Sequence, residues 1–216
     1  MKRVVLNIVL AAAFCLLGAR AFGDDSMSST NLPGTVTPGD FAWDAALINL
    51  KEIRLGEAAQ TNSQNADVQQ FGRRMVRDHS RLNARLEKIA QSEGLQLPDT
   101  NTFYLPVMAP GEKQATQLMT ETPQDKLRDA QLDVQSLASL SGPAFDQAYA
   151  EAMVNGHHKA MDLFQNASTT LSDEDLKKYA DHGLRSIREH YEMAQKLQSE
   201  LSANEPAGVT NTAPAM

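Results

Sequence analysis

Four long segments of the chain carry apolar residues at intervals of three and four, and no stretch alternates with a period of two. An apolar stripe with this spacing covers one face of an α-helix, whereas alternation marks a half-buried strand. The spacing therefore predicts helices over about 40–62, 66–93, 143–164 and 172–201. Four helices of this length, each burying one face, predict an all-α bundle.

The ends of these helices are marked by residues that start or stop a helix. We expect Asp40 to cap the first helix, Gly94 to end the second, Pro143 to open the third and Ser172 to cap the fourth. The link over 95–142 is too long for a turn, and its later part, 124–140, has a helix-forming composition. A long crossover with a short extra helix between helices two and three predicts a ferritin-like antiparallel four-helix bundle.

The N-terminus has the pattern of a secretory signal peptide. Lys2 and Arg3 precede an apolar run over 4–17, and residues 19–21 form a small-x-small cleavage pattern. The run is shorter than the ~20 residues of a spanning helix, so cleavage is preferred to an uncleaved anchor. We therefore predict a signal peptide (1–21), a flexible leader (22–38), the bundle domain (39–203) and a disordered tail (204–216), in a chain exported to the periplasm or cell envelope without a transmembrane helix.

Charge and cysteine content exclude several classes of function. The precursor has a formal charge of -7, and cleavage would remove Lys2, Arg3 and Arg20 but no acidic residue, which gives -10. Such a surface repels nucleic acid, so we expect no nucleic-acid partner. The one cysteine, Cys15, lies in the signal, so a disulfide framework and a thiolate metal site are excluded from the mature chain.

Each apolar stripe is interrupted once by a polar residue: Glu52, His79, His157 and His190. Burying an unpaired carboxylate costs several kcal/mol, and an unpaired imidazole costs a smaller amount, so four such interruptions need a reason. Counted along their helices, all four lie near the midplane of an antiparallel bundle. Their side chains are therefore expected to converge.

Three imidazoles and a carboxylate can hold one divalent transition metal, with copper, iron, zinc and manganese as candidates. The carboxylate-rich di-iron alternative requires a glutamate three residues before a histidine, and Val76, Val154 and Ile187 stand there instead. A ferroxidase reaction is accordingly disfavoured. The competing interpretation is a buried network without metal, in which Glu52 accepts hydrogen bonds from the imidazoles and sets the helix register.

Several neighbours of these four residues are secondary candidates. Methionines at helical spacing from the histidines would suit copper, and they would equally serve as core packing. Asp78 is interpreted either as a group that orients a histidine or as a surface charge, and Asp146 and Tyr149 either as packing or as part of the site. The methionines are Met75, Met153, Met161 and Met193.

Four segments of the chain, "EIRLGEAAQ", "VQQFGRRMVRDHSRLNARLEKIA", "GPAFDQAYAEAMVNGHHKAMDLFQ" and "LKKYADHGLRSIREHYEMAQKL", resemble an exported bacterial ferritin-like family, the domain of unknown function DUF 4142. The resemblance covers about 38–200, although Gly156 replaces an acidic residue usual in the family and the crossover is longer. It implies a ferritin-like fold and export, in proteins often described as membrane or outer-membrane proteins, and it supplies no activity. The family's characteristic polar positions correspond here to Glu52, Asp78, His79, Asp146, Tyr149, His157 and His190.

Three functions remain open from the sequence. The first is an exported bundle protein without established catalysis that binds metal or, from family context alone, takes part in the envelope stress response. The second is a structural or partner-binding bundle whose polar residues form a network without metal. The third is a metal-dependent redox enzyme. A second copy of the chain or an envelope protein is the expected kind of partner.

Overall fold

The computed structural model describes residues 36–103 and 122–204. Helices account for nearly all of these residues, and no strand occurs within them, which confirms the all-α prediction. The helices are α1 (Pro38–Asn62), α2 (Ala66–Glu93), α3 (Thr100–Phe103), α4 (Pro123–Ala138), α5 (Gly142–Thr170) and α6 (Glu174–Ala203). No helix in this part of the chain combines the length and apolarity needed to cross a bilayer.

The capping residues of two helices differ from the prediction, and α5 (Gly142–Thr170) begins one residue before Pro143. Helix α1 begins at Pro38 because the Thr37 hydroxyl, rather than Asp40, caps it by accepting a hydrogen bond from the Asp40 N–H (3.1 Å). Helix α6 is capped by Asp173 instead of Ser172, through the Leu176 N–H (2.8 Å). The stop of α2 is as predicted, because Gly94 adopts a left-handed backbone conformation with φ of 66°.

The described parts of the link between α2 and α5 contain two helices where one short helix was expected. Helix α3 has 4 residues, whereas α4 has 16 and begins with a capping box between Thr122 and Asp125. The predicted signal peptide, the leader up to residue 35 and the tail from residue 205 lie outside the described residues.

The four long helices pack as two hairpins. Helix α1 packs on α2 and α5 packs on α6, and each pair is joined by only three residues, 63–65 and 171–173. Gly56 and Gly72 permit the close crossing of α1 and α2, since a Cβ atom on Gly56 would lie 2.6 Å from the Gly72 carbonyl oxygen. The hairpins meet through contacts of α1 with α5 and of α2 with α6.

The core consists of two apolar clusters, with a polar layer between them along the helices. One cluster includes Phe41, Leu86 and Phe164, and the other includes Phe71 and Phe145. On every long helix, the residue that interrupts the apolar stripe falls in sequence between members of these two clusters. The packing therefore places the interruptions at one level, where they are shielded from solvent on both sides along the bundle.

Candidate metal centre

Three histidines from three helices meet in the polar layer. His79 of α2, His157 of α5 and His190 of α6 are each at most 1 % exposed. Their ring centroids are 5.3 to 5.8 Å apart. One potential ligand atom from each ring lies within 4.8 Å of the other two, which is a separation that a single metal ion can bridge.

His79 is oriented by an asparagine that the sequence analysis did not select. Asn49 is fully buried on α1, and its amide nitrogen donates to the Tyr179 hydroxyl (3.0 Å). Its carbonyl oxygen lies 3.0 Å from Nδ1 of His79 and can only accept, so the ring must carry its proton on Nδ1. Asn49 stands three residues before Glu52 on the buried face of α1, and that spacing was the signal available in the sequence.

His157 and His190 are oriented in the same manner by other acceptors. Nδ1 of His157 donates to the Met153 carbonyl (2.8 Å), and Nε2 of His190 donates to the Asp78 carboxylate (3.1 Å). A carbonyl and an ionised carboxylate have no proton to give, so both tautomers follow from their partners.

Asp78 is itself held as a carboxylate by two guanidinium groups. Nε of Arg74 and Nε of Arg77 each lie 3.0 Å from one of its oxygens. Burial acts to raise the pKa of Asp78, but the hydrogen bonds from His190, Arg77 and Arg74 outweigh it and hold the pKa below its usual value. Asp78 therefore lies in a position where it can orient the His190 ring.

The second nitrogen of each ring has no hydrogen-bond partner among the described residues. These atoms, Nε2 of His79, Nε2 of His157 and Nδ1 of His190, are all buried. In the neutral form of each ring the opposite nitrogen carries the proton, so each of these atoms then presents a lone pair. Leaving a buried acceptor unsatisfied costs about 1–3 kcal/mol, and a shared cation would satisfy all three.

The electrostatics keep two of these imidazoles neutral, which is the form that binds metal. Burial lowers the pKa of His79 well below its ordinary value, and the neighbouring His157 and His190 lower it further. Burial, followed by His157, lowers the pKa of His190 to about 4, and Asp78 only partly opposes this. Both rings therefore carry free lone pairs at neutral pH.

Glu52 lies beside this group, but it is not one of the three residues whose ligand atoms are mutually within 4.8 Å. Its side chain is buried, and its Oε2 atom has no hydrogen-bond partner within the described ranges. Burial raises the pKa of Glu52, and the charges of His157 and Lys51 oppose the rise. The imidazoles donate to other acceptors and not to Glu52, in contrast to the network expected from the sequence.

Tyr149 and Asp146 are buried on α5, towards the second apolar cluster. The Tyr149 ring stacks on Phe145 at 5.5 Å and meets Phe71 edge-on at 6.1 Å. Burial, and then the charge of Glu52, raises the pKa of Tyr149 well above its ordinary value. The Tyr149 hydroxyl and Oδ1 of Asp146 lack partners among the described residues, so Tyr149 combines core packing with a free polar group on the side of Glu52.

The candidate methionines lie in the apolar core. Met75 and Met153 are fully buried and Met193 is partly buried in the cluster around Phe71, whereas Met161 packs against the other cluster. Their positions provide packing on both sides of the polar layer.

Comparison with known proteins identifies a family and one similar fold. A family model described as "Domain of unknown function (DUF4142)" matches residues 25–197, which confirms the resemblance seen in the sequence. No curated protein matches the chain. The crystal structure of a DUF305 protein from Streptomyces coelicolor, inferred to be secreted, matches with a TM-score of 0.56 and 11% identity, over 78% of this chain and 95% of that chain. At this identity, the similarity shows the fold alone.

Proposed function

Since the chain belongs to the DUF4142 family, whose description assigns no activity, we propose a function from the centre itself: the protein binds one divalent transition-metal ion through His79, His157 and His190. Glu52 supplies the anionic ligand. The proposal includes export to the periplasm or cell envelope and a ferritin-like arrangement of the four long helices. A link to envelope stress is included on the family resemblance alone.

One observation carries the proposal. Each of the three imidazoles donates one ring N–H to a different acceptor. The other nitrogen of each ring is buried and has no partner in the part of the chain that the structure describes. Histidines that bind metals usually donate the other ring N–H to a carboxylate, a carbonyl or a water, because this selects the tautomer and holds the ring. Three rings arranged in this way favour a metal centre over three unrelated core histidines.

The charges are consistent with a divalent ion. Neutral imidazoles contribute no charge, so a buried dication would be uncompensated unless carboxylates lie close to it. Ionised Asp78 is hydrogen-bonded to His190, and Glu52 would bind the ion as a carboxylate. Two negative charges would then balance the metal. Nitrogen ligands suit zinc, copper and iron better than magnesium or calcium.

A metal-dependent redox reaction is the second candidate. The observation that favours it is a cleft of about 370 Å³ that reaches Glu52, because catalysis requires a coordination position open to a small substrate. It shares the metal with the first proposal, so metal content is measured before any activity.

The test is elemental mass spectrometry on the mature protein purified without a tag from its own periplasm. We expect about one metal ion per chain, lost in a His79→Ala, His157→Ala double variant. The matched control is His158→Ala with His182→Ala, which removes two exposed histidines from α5 and α6 and should retain the metal. Absence of metal from the wild type, together with no rise in melting temperature when metals are added, would overturn the proposal in favour of the metal-free network.

A further inference from the structure

On the premise of the proposed metal centre, we infer that the ion reaches the three histidines through the cleft bounded by α1, α4 and α5. Glu52 is its first ligand, and Gly156 keeps the passage open. This access cleft has a volume of about 370 Å³, and both residues line it.

Glu52 connects the access cleft to the centre. Its side chain lines the cleft, although it is only 4 % exposed, and its Oε2 atom has no partner within the described ranges. It also lies close enough to His157 to interact with it electrostatically. Such a carboxylate borders the access cleft on one side and a metal-binding histidine on the other. It can bind a cation from the cleft and transfer it to the histidines.

Gly156 has no side chain to cover this carboxyl group. A Cβ atom built on Gly156 would lie 3.4 Å from Oε1 of Glu52 and would meet no other atom of the described residues within 4 Å. The close packing that excludes side chains at Gly56 and Gly183 is therefore absent at this helical glycine. A longer side chain at position 156 would project over Glu52 and narrow the passage.

The opposite face of the centre offers a poorer route. A cleft of about 270 Å³ between α2 and α6 reaches Asp78, but Arg74, Arg81 and Arg85 also line it. Arg74 is paired with Asp78 and Glu189, but Arg81 and Arg85 add positive charge that repels a cation. Asp78 in turn is bonded to the protonated nitrogen of His190, so the imidazole ring stands between this cleft and the lone pair.

The charges around the access cleft are more nearly balanced. Of the three lysines that line it, Lys126 contacts Asp44 (2.7 Å) and Lys51 contacts Asp133 of α4, and Lys159 is the third. Helix α4 forms the outer wall of the cleft, because Lys126 and Ala130 lie on it. A cation therefore meets less repulsion here than at the arginine-lined cleft.

The experiment measures the rate at which the metal-free mature chain binds Co²⁺, followed by stopped-flow absorbance, together with the equilibrium affinity for Co²⁺. For Gly156→Leu we expect loading about tenfold slower with little change in affinity, since an obstructed passage slows binding and release alike. Gly156→Ala should slow loading by a smaller factor. Because alanine favours the helix, this variant should fold and remain informative even if the leucine variant unfolds. The matched control, Ser186→Leu, fills the arginine-lined cleft and should load at the wild-type rate.

The outcomes separate this inference from the proposed function. Failure of the wild type to bind Co²⁺ would refute the metal centre itself. If the wild type binds Co²⁺ but both Gly156 variants load it at the wild-type rate, the access route is refuted and the metal centre stands. Slow loading of Co²⁺ by Ser186→Leu would refute the access route in the same way. Glu52→Gln, which keeps the shape and removes the charge, should slow loading, and a wild-type rate in this variant would overturn the role of Glu52 as the first ligand.

Discussion

Acid should destabilise the metal-free protein through its buried histidines, and His190 allows the size of the effect to be worked out. Its pKa falls from an ordinary value of 6.5 to about 4 in the folded protein. Between these values the unfolded chain binds a proton that the folded chain does not, so the free energy of unfolding decreases as the pH falls from 6.5 to about 4. One pKa unit corresponds to ~1.36 kcal/mol, so His190 accounts for a loss of about 3 kcal/mol.

Three other groups in or beside the polar layer modify this loss. His79 has a lowered pKa and therefore acts in the same direction as His190. Glu52 acts in the opposite direction, because a raised pKa stabilises the folded protein at low pH and that contribution is lost as the pH rises through the folded pKa. Asp78, whose pKa is lowered, adds a further loss only below about 3.8.

The assay is urea unfolding of chelator-treated protein at a series of pH values from about 7.5 to about 4, compared with His190→Leu, which cannot titrate at this position. We expect the loss of unfolding free energy over this range to shrink by about 3 kcal/mol in the variant, whatever the change in stability at neutral pH. Equal slopes for wild type and variant would refute the assignment of His190 as a buried neutral imidazole.

Three further predictions concern the same layer and its support. Asn49→Leu should weaken metal binding by about 10–100-fold, because His79 loses the acceptor that selects its tautomer. An unchanged affinity in isothermal titration calorimetry would contradict this role of Asn49. Gly56→Ala should lower the free energy of unfolding by about 1–3 kcal/mol, because its Cβ would lie 2.6 Å from the Gly72 carbonyl oxygen; a melting temperature at or above the wild-type value would show that the helices separate without cost. Metal at about 100 times its dissociation constant should raise the free energy of unfolding of the wild type by about 2.7 kcal/mol and leave that of the His79→Ala, His157→Ala double variant unchanged. An equal rise in both proteins would show that the metal binds elsewhere.

Much of the fold was predictable because periodic burial is a local property of the chain. The four long helices follow from apolar residues spaced at three and four, and Gly94 ends α2 as expected. The starts of α1 and α6 differ from the predicted ones because several neighbouring residues can cap a helix. The Thr37 hydroxyl and the Asp173 carboxylate are the groups that reach the first free N–H groups of these helices. Such choices depend on backbone geometry that the sequence does not display.

The candidate site was only partly predictable. The interruptions of the stripes selected His79, His157 and His190, whose rings the structure brings together, and also Glu52, which lies beside them. Asn49 was not selected, although its spacing of three residues from Glu52 places it on the same face of α1. Only the neighbouring helices show that it is fully buried and bonded to His79.

The sequence by itself determined which faces of the helices are buried and which polar residues those faces must carry, because both follow from the 3.6-residue repeat. Only the tertiary structure decided which nitrogen of His79 and of His190 carries the proton, whereas His157 uses the Met153 carbonyl of its own helix. That choice depends on acceptors supplied largely by other helices: Asn49 of α1 is 30 residues from His79, and Asp78 of α2 is 112 residues from His190. A tautomer is selected by the partner that packing brings within hydrogen-bonding distance, and no periodicity along one helix specifies that partner.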